Sequence, residues 1–295
     1  MLKTIRTFSD YIATVIPGKV RKISVNAGLG CPNRDGTVGS GGCIFCNNDA
    51  FCPRYTRGLQ GITQQIEEGI RFTANKGRAD AFLVYFQSYS NTYGPTGKLV
   101  RLYEEALAVP GVAGLVIATR PDCLAPDLLD YFERRFGRLA PAGHPFLLVE
   151  LGMESTLDRT LEFINRGHDH ACSVTAANAL SERGIAVGAH LILGLPGESE
   201  SDWIGHAHRI SSMPVTTLKL HQLQVIRGTA LERMYAEDPG IVSLPTAEEY
   251  AASVRRFVAA LRDGIYLDRF VSETPRDMVV APSWGLKPSE FQKLL

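Results

Sequence analysis

The sequence predicts an α/β chain folded as a partial (open) parallel β/α barrel of about six units, with a C-terminal tail packed on it. Three observations lead there. Short apolar, β-rich runs alternate with helix-period stretches along most of the chain, which marks βαβ units and a parallel sheet. Runs such as FLVYF (82–86) and LLVEL (147–151) are apolar nearly throughout, as strands covered by helices are. The length, 295 residues, suits an α/β barrel built as one unit, while six repeats fall short of the eight that close a full barrel.

In chain order the expected strands are 20–25, 81–86, 114–118, 145–151, 185–193 and 216–224, each an apolar run. The helices expected from their periodicity are 63–74, 97–108, 125–135, 156–165, 171–183, 201–212 and 246–262. Local punctuation supports them. Ser155 with Asp158 resembles a capping box, and Gly184 follows Arg183 as a C′ glycine would. No repeat, low-complexity tract or linker interrupts the chain, so residues 1–295 are expected to form a single domain, with a barrel core at about 18–235 and a C-terminal helix and tail at about 246–295. Beyond about 264 the periodicity fades, and that stretch is expected to lie back on the barrel as a tail.

Barrels of this kind do their chemistry at the carboxyl ends of the strands. Gln87, Arg120, Glu150, His190 and His221 all fall at or just past an expected strand. Lys and Arg number 31 and Asp and Glu 31, a formal net charge of zero, which excludes a globally basic nucleic-acid coat or a polybasic membrane binder but leaves room for a local patch. The first 22 residues lack an apolar core with a cleavage site. Apolar runs such as 111–118 are far shorter than a membrane helix. A cytoplasmic location is expected, with no membrane partner, so the cysteines are read as thiols or metal ligands.

Cys31, Cys43 and Cys46 lie together after the first strand, spaced C-x11-C-x2-C, in a loop with six glycines between Gly28 and Gly42. So many glycines suit a backbone that wraps closely around a bound group. Thiolates select soft metals, which leaves zinc or an iron–sulfur cluster. Zinc would draw on Cys52 as fourth ligand. A cubane held by three thiolates would keep one iron open. Cys123 and Cys172 read as small buried apolar residues.

The loop CPNRDG…GGCIFCNN, with Phe45 before the last cysteine, resembles the radical S-adenosylmethionine superfamily, and within it the YhcC/YtqA-like family, related to the Elongator catalytic subunit and the oxygen-independent coproporphyrinogen oxidase. The likeness continues through YFQSYSNTYGP, ATRPDCL, VELGMES, INRGHD, HLILGLPGES, LKLHQLQVIRGT and PRDMVVAPSW, in order over nearly the whole chain. It implies a [4Fe–4S] cluster on Cys31, Cys43 and Cys46, S-adenosylmethionine on the open iron, and reductive cleavage to a 5′-deoxyadenosyl radical that abstracts a substrate hydrogen.

By the same resemblance Arg166 would contact the methionine carboxylate, Glu154 and His190 would sit near the ribose, and Phe45, Gln87 and Gly194 would border the cofactor. Relatives commonly carry a glycine-rich turn after the second strand; here that turn runs Gln87-Ser88-Tyr89-Ser90 without one. Tyr85, Tyr89 and Tyr93 are candidates for a substrate cavity. The resemblance further implies an electron donor such as flavodoxin or ferredoxin, and tRNA as a partner, with modification of a wobble-uridine side chain as the reaction. Lys3, Arg6, Lys19, Arg21 and Lys22 offer a phosphate-contacting patch near the N-terminus. The alternatives are a tetrapyrrole or other small-molecule substrate, a zinc-stabilised binding module, and a cluster protein that only transfers electrons.

Overall fold

Seven parallel strands hydrogen-bond in the order β1-β2-β3-β4-β5-β6-β8: β1 (Val20–Val25), β2 (Ala81–Phe86), β3 (Val112–Thr119), β4 (Phe146–Glu154), β5 (Ala186–Leu193), β6 (Thr217–Gln222) and β8 (Tyr266–Arg269). The structure, a computed structural model, describes residues 4–48, 54–56, 58 and 61–295. β1 and β8 are the two edges, so the sheet curls into an open half-barrel. The six expected strands are present. The seventh comes out of the stretch expected to be tail: four residues carrying Asp268 and Arg269 offer no apolar run, yet they pair in register with β6, Thr217 beside Tyr266. A short antiparallel pair, β7 (Val225–Ile226) with β9 (Val279–Ala281), ties the rest of the tail to the barrel rim.

Strand residues alternate between two environments, as a pleated strand requires. Val84, Phe86, Leu115, Ile117, Leu147, Val149 and Leu151 face outward into the main core under the helices. Leu83, Val116 and Leu148 face inward, and α1 (Phe8–Ala13) closes the barrel's amino end on them with Ile12 and Ile16. Further along the same inward rows the side chains turn ionic: Lys22, Glu150, Lys219 and Asp268.

The helices cover the outside for legible reasons. α2 (Ile62–Thr73) buries Ile62, Gln65, Ile66 and Gly69, one helical stripe. α9 (Ala247–Ala260) starts with a capping box between Thr246 and Glu249. α6 (His170–Glu182) ends in a Schellman turn: Gly184, at φ +76°, and Ile185 donate to the carbonyls of Ser181 and Leu180. The capping box expected at Ser155 is absent. α5 (Asp158–Phe163) has Leu157 as N-cap, and Ser155 instead donates to Glu198 at 2.6 Å while accepting from the Leu157 N–H. Among the described residues no helix is long and apolar enough to cross a membrane.

Candidate cofactor and substrate site

The loop after β1 carries Cys31, Cys43 and Cys46 as free thiols on the wall of a cavity of about 200 Å³ at the carboxyl end of the half-barrel. Backbone bonds shape it: Arg34 N–H donates to the Cys31 carbonyl and Cys46 N–H to that of Cys43. At Gly42, φ is +79° and a Cβ would stand 2.9 Å from Arg34 Nε, so only glycine fits. The segment after α5 clips the loop in place. Ile44 N–H donates to the Ile164 carbonyl, Asn165 Nδ2 to that of Gly42 at 2.8 Å, and the fully buried Asn33 returns a bond to the Asn165 carbonyl. Tyr93 holds the far side through Asp35, 2.9 Å away. Burial, with the Cys43 thiol beside it, pushes the Cys46 thiol up to about 11. Cys123 and Cys172 lie off this cavity; burial pushes the Cys123 thiol up to about 12. Cys52 lies outside the described residues.

Arg166 comes up beneath Cys43. Its Nη1 points at the sulfur at 3.5 Å, Nη2 donates to the Gly152 carbonyl, and Glu154 Oε1 stands 3.6 Å away. Burial works against its charge, but Cys43 and Glu154 hold it protonated. Nε is buried without a partner. A Cβ at Gly152 would come within 2.9 Å of both Glu154 Oε1 and Arg166 Nη2, so this strand position must stay bare. Glu154 itself sits at φ +66° past a register shift in β4, which turns its carboxylate into the cavity. Across the cavity Arg120 makes a two-toothed bond to Asp122 at 2.8 and 2.7 Å and keeps a buried, unpartnered Nη1.

Below the cavity lies an ionic floor. Glu150, 1% exposed, accepts from Lys219 at 2.6 Å and lies 2.9 Å from His190 Nε2. Lys219 also donates to Tyr85 at 2.9 Å and stands 3.3 Å from Asp268. Lys22 completes the set, bound to Asp268 and 3.8 Å from Glu150. Burial opposes the charge on Glu150, but Lys219, Lys22 and His190 hold it well below the usual carboxylate range. Burial, reinforced by His190, keeps His221 neutral; the two rings lie 5.6 Å apart.

Of the residues singled out in the sequence, Phe45, Gln87, Glu154, Arg166 and His190 line the cavity with the three cysteines. Gly194 does not: at φ +101° it turns the chain out of β5, and its bare side faces Leu223 and the Ser243 carbonyl. Glu198, four residues on, grips Ser155 and His206 and so braces the turn that follows Glu154. In the turn that lacks a glycine, Tyr89 adopts φ +65° and lines the cavity with Tyr85, while Tyr93 stays outside as a loop clamp. Glu150, expected at a strand end, lies deeper because β4 runs on to Glu154.

The N-terminal basic patch assembles only in part: Lys19 Nζ and Arg21 Nη2 converge beside Gly77, Arg6 is exposed, and Lys22 turns inward. Lys19 is exposed at the amino end of the barrel, opposite the cavity; Arg21 donates to the Thr73 carbonyl; Lys22 belongs to the floor; Lys3 lies outside the described residues. Sequence reading missed Lys219, Gln222 and Arg269 on the cavity wall. The signal available for Lys219 was a charge at an inward position of an otherwise apolar strand.

The donor set suits an anionic, thiolate-held group. Three thiols, two of them in hydrogen-bonded or charge contact with guanidinium groups, border a pocket that Arg166 and Arg120 also line, each with one buried N–H that has no partner. Among the described residues no three His, Cys, Asp or Glu side chains close round a single ion.

Comparison with known proteins agrees. The model of the Radical SAM superfamily matches residues 25–210, and that of the Radical_SAM C-terminal domain residues 215–294. "Protein YhcC" of Escherichia coli (strain K12) is 31% identical over 283 residues, 96% of this chain and 88% of that protein. A tRNA uridine(34) acetyltransferase of Methanocaldococcus jannaschii is 25% identical over 185 residues, 61% of this chain and 31% of that protein. The solved archaeal Elp3 of Methanocaldococcus infernus, lacking its N-terminus, shares the fold with a TM-score of 0.66 at 18% identity, over 93% of this chain and 61% of that one. Members of this family use a [4Fe–4S] cluster and S-adenosylmethionine and require a reductant. The chain belongs to the radical S-adenosylmethionine superfamily and is a radical S-adenosylmethionine enzyme.

Proposed function

We propose that Cys31, Cys43 and Cys46 hold the cluster and that the enzyme modifies the side chain of a wobble uridine in tRNA. The observation that carries the cofactor half is the cavity lined by all three thiols and by Arg166, a buried guanidinium in contact with Cys43 and with an unused Nε. When bound, the reduced cluster and S-adenosylmethionine supply a 5′-deoxyadenosyl radical. The chain's own residues bind and shield. The planar fork of Arg166 is suited to the methionine carboxylate. Glu154 accepts from ribose hydroxyls, and His190, whose Nε2 is engaged by Glu150, offers its other ring nitrogen to the same sugar. Phe45, Ile192, Leu223 and Ile226 give the cavity apolar walls that exclude water. Flavodoxin or ferredoxin is the proposed electron donor.

For the substrate, the support is the partial likeness to a tRNA uridine(34) acetyltransferase and a cavity lined by Arg34, Arg120, Arg166, Lys219 and Arg269 in a chain of zero net charge. The test is mass spectrometry of tRNA nucleosides from cells with and without this protein. Loss of one modified wobble uridine, with its precursor accumulating, is expected. An unchanged profile rejects the tRNA reading and moves the substrate to a tetrapyrrole or another small molecule.

A further inference from the structure

A second cavity, of about 740 Å³, opens sideways in the half-barrel. Lys22 and Ser24 on β1 and Asp268 on β8 form one wall, so it lies at the seam where the sheet's two edges fail to meet. The chain after β8 forms the other wall through Arg276, Trp284, Lys287 and Phe291. Tyr85, Gln87, Lys219, Gln222 and Arg269 belong to the linings of both cavities, so the two meet at these side chains.

Its charges sort by depth. Lys22 and Lys219 are neutralised by Asp268 and Glu150, and Arg269 by Glu273 at 2.9 Å. Arg276 and Lys287 are exposed on the rim and, among the described residues, have no carboxylate within ion-pair distance. Arg276 is aimed rather than free: its Nη2 donates to the Gly285 carbonyl at 2.8 Å. Beside them stand aromatic faces. Phe72 is 59% exposed, and Trp284 lies stacked on Phe291 with 11° between the rings. Of these rings only Phe72 is exposed, one side of it resting on Tyr55. Exposed cations and an exposed ring around a small-molecule-sized hollow are what a single-stranded nucleic acid meets on its binders, phosphates on the cations and a base on the ring.

We infer that this cavity receives a nucleotide turned out of a single-stranded RNA loop, with Arg276 and Lys287 holding the neighbouring phosphates and Phe72 stacking on a base. Anticodon loops present such unstacked bases. The inference rests on the tRNA reading above and deepens it: the RNA docks on the tail side of the seam, and its base edge advances past Tyr85 and Lys219 toward the first cavity.

The test is binding of unfractionated tRNA to the full-length protein over a range of salt concentrations. Wild type should weaken steeply with salt. Arg276→Ala/Lys287→Ala should keep the wild-type melting temperature and flatten the slope of log K against log salt by about 1.4, at roughly 0.7 for each phosphate on a single strand. Phe72→Ala should weaken binding about tenfold with the slope unchanged. Lys19→Ala, at the opposite end of the barrel, should keep both. Steep wild-type binding with an unflattened slope in the double variant overturns this docking site while leaving the tRNA reading in place. No salt-dependent tRNA binding by wild type, together with an unchanged nucleoside profile, removes both. Uridine 5′-monophosphate binding as tightly as tRNA would assign the cavity to a free nucleotide and overturn the inference.

Discussion

On the floor of the half-barrel every buried charge has an opposite charge within 3.8 Å, whereas at its mouth Arg166 and Arg120 each keep one buried N–H without a partner. Both regions are desolvated, so an unmade hydrogen bond costs the same kind of penalty in each. The floor meets most of it by pairing two ammonium groups with two carboxylates, although Glu150 Oε1 is itself left without a hydrogen bond. The mouth leaves it standing, beside three thiols. Neither burial nor an unmade hydrogen bond therefore singles out the functional end of this barrel; the grouping of three thiols with guanidinium groups on one cavity wall does.

Three predictions press on that contrast. The largest effect belongs to the thiols. After anaerobic reconstitution, Cys31→Ala, Cys43→Ala and Cys46→Ala should each fall to background iron and sulfide, while Cys52→Ala, Cys123→Ala and Cys172→Ala keep the wild-type content. Equal loss in Cys52→Ala would mean a four-thiol site and would revive zinc.

The floor should respond in stability. Glu150→Gln leaves Lys219 and Lys22 short of a counter-charge in the interior, at a cost of about 3–5 kcal/mol, read by denaturant unfolding at neutral pH. The pH dependence has a definite sign. Because Glu150 is held well below its ordinary 4.5 in the folded protein, its contribution is complete above about pH 4.5 and drains away as the pH falls through the folded value. The gap between wild type and Glu150→Gln should narrow in acid. A gap that widens there would mean that the carboxyl is neutral in the native state.

At the mouth, Arg166→Ala should weaken S-adenosylmethionine binding by about 1.5–3 kcal/mol, the worth of a hydrogen bond to a charged group, with iron content unchanged. Calorimetry on the reconstituted protein measures it. Wild-type affinity would make Arg166 a brace for Gly152 and nothing more.

What the sequence let one read follows the same division. Six strands were legible because each is an apolar run with helices over it. β8 was not, because Asp268 and Arg269 stand where alternation would put apolar residues, and the pairing of Asp268 with Lys22 reaches 246 residues back along the chain. The cysteine loop announced itself by grouping alone, and Arg166 by the INRGH motif around it. The ionic floor had no local signature: Lys219 finds Glu150 at a separation of 69 residues and Tyr85 at 134, distances at which no motif operates. The N-terminal patch misled for a related reason. A run of basic residues records charge but not which face of a strand each one occupies: Lys19 and Arg21 meet beside Gly77, while Lys22 turns into the barrel. Ser155 shows the limit at short range, where a carboxylate from β5's following turn outcompeted the expected cap.

The seam has a consequence for how the enzyme comes into being. The Leu267 N–H donates to the Arg6 carbonyl at 2.8 Å, and Lys22 meets Asp268 across the same gap, so the first and last parts of the barrel are joined by its longest-range contacts. Contacts of such separation form late, since the intervening chain must first be gathered. Without Asp268, Lys22 and Lys219 have only Glu150 between them, so the inward rows reach full charge balance only when the final strand is in place. The barrel's last-made strand is thus also its charge-balancing one, and the two ends of the chain close the enzyme together.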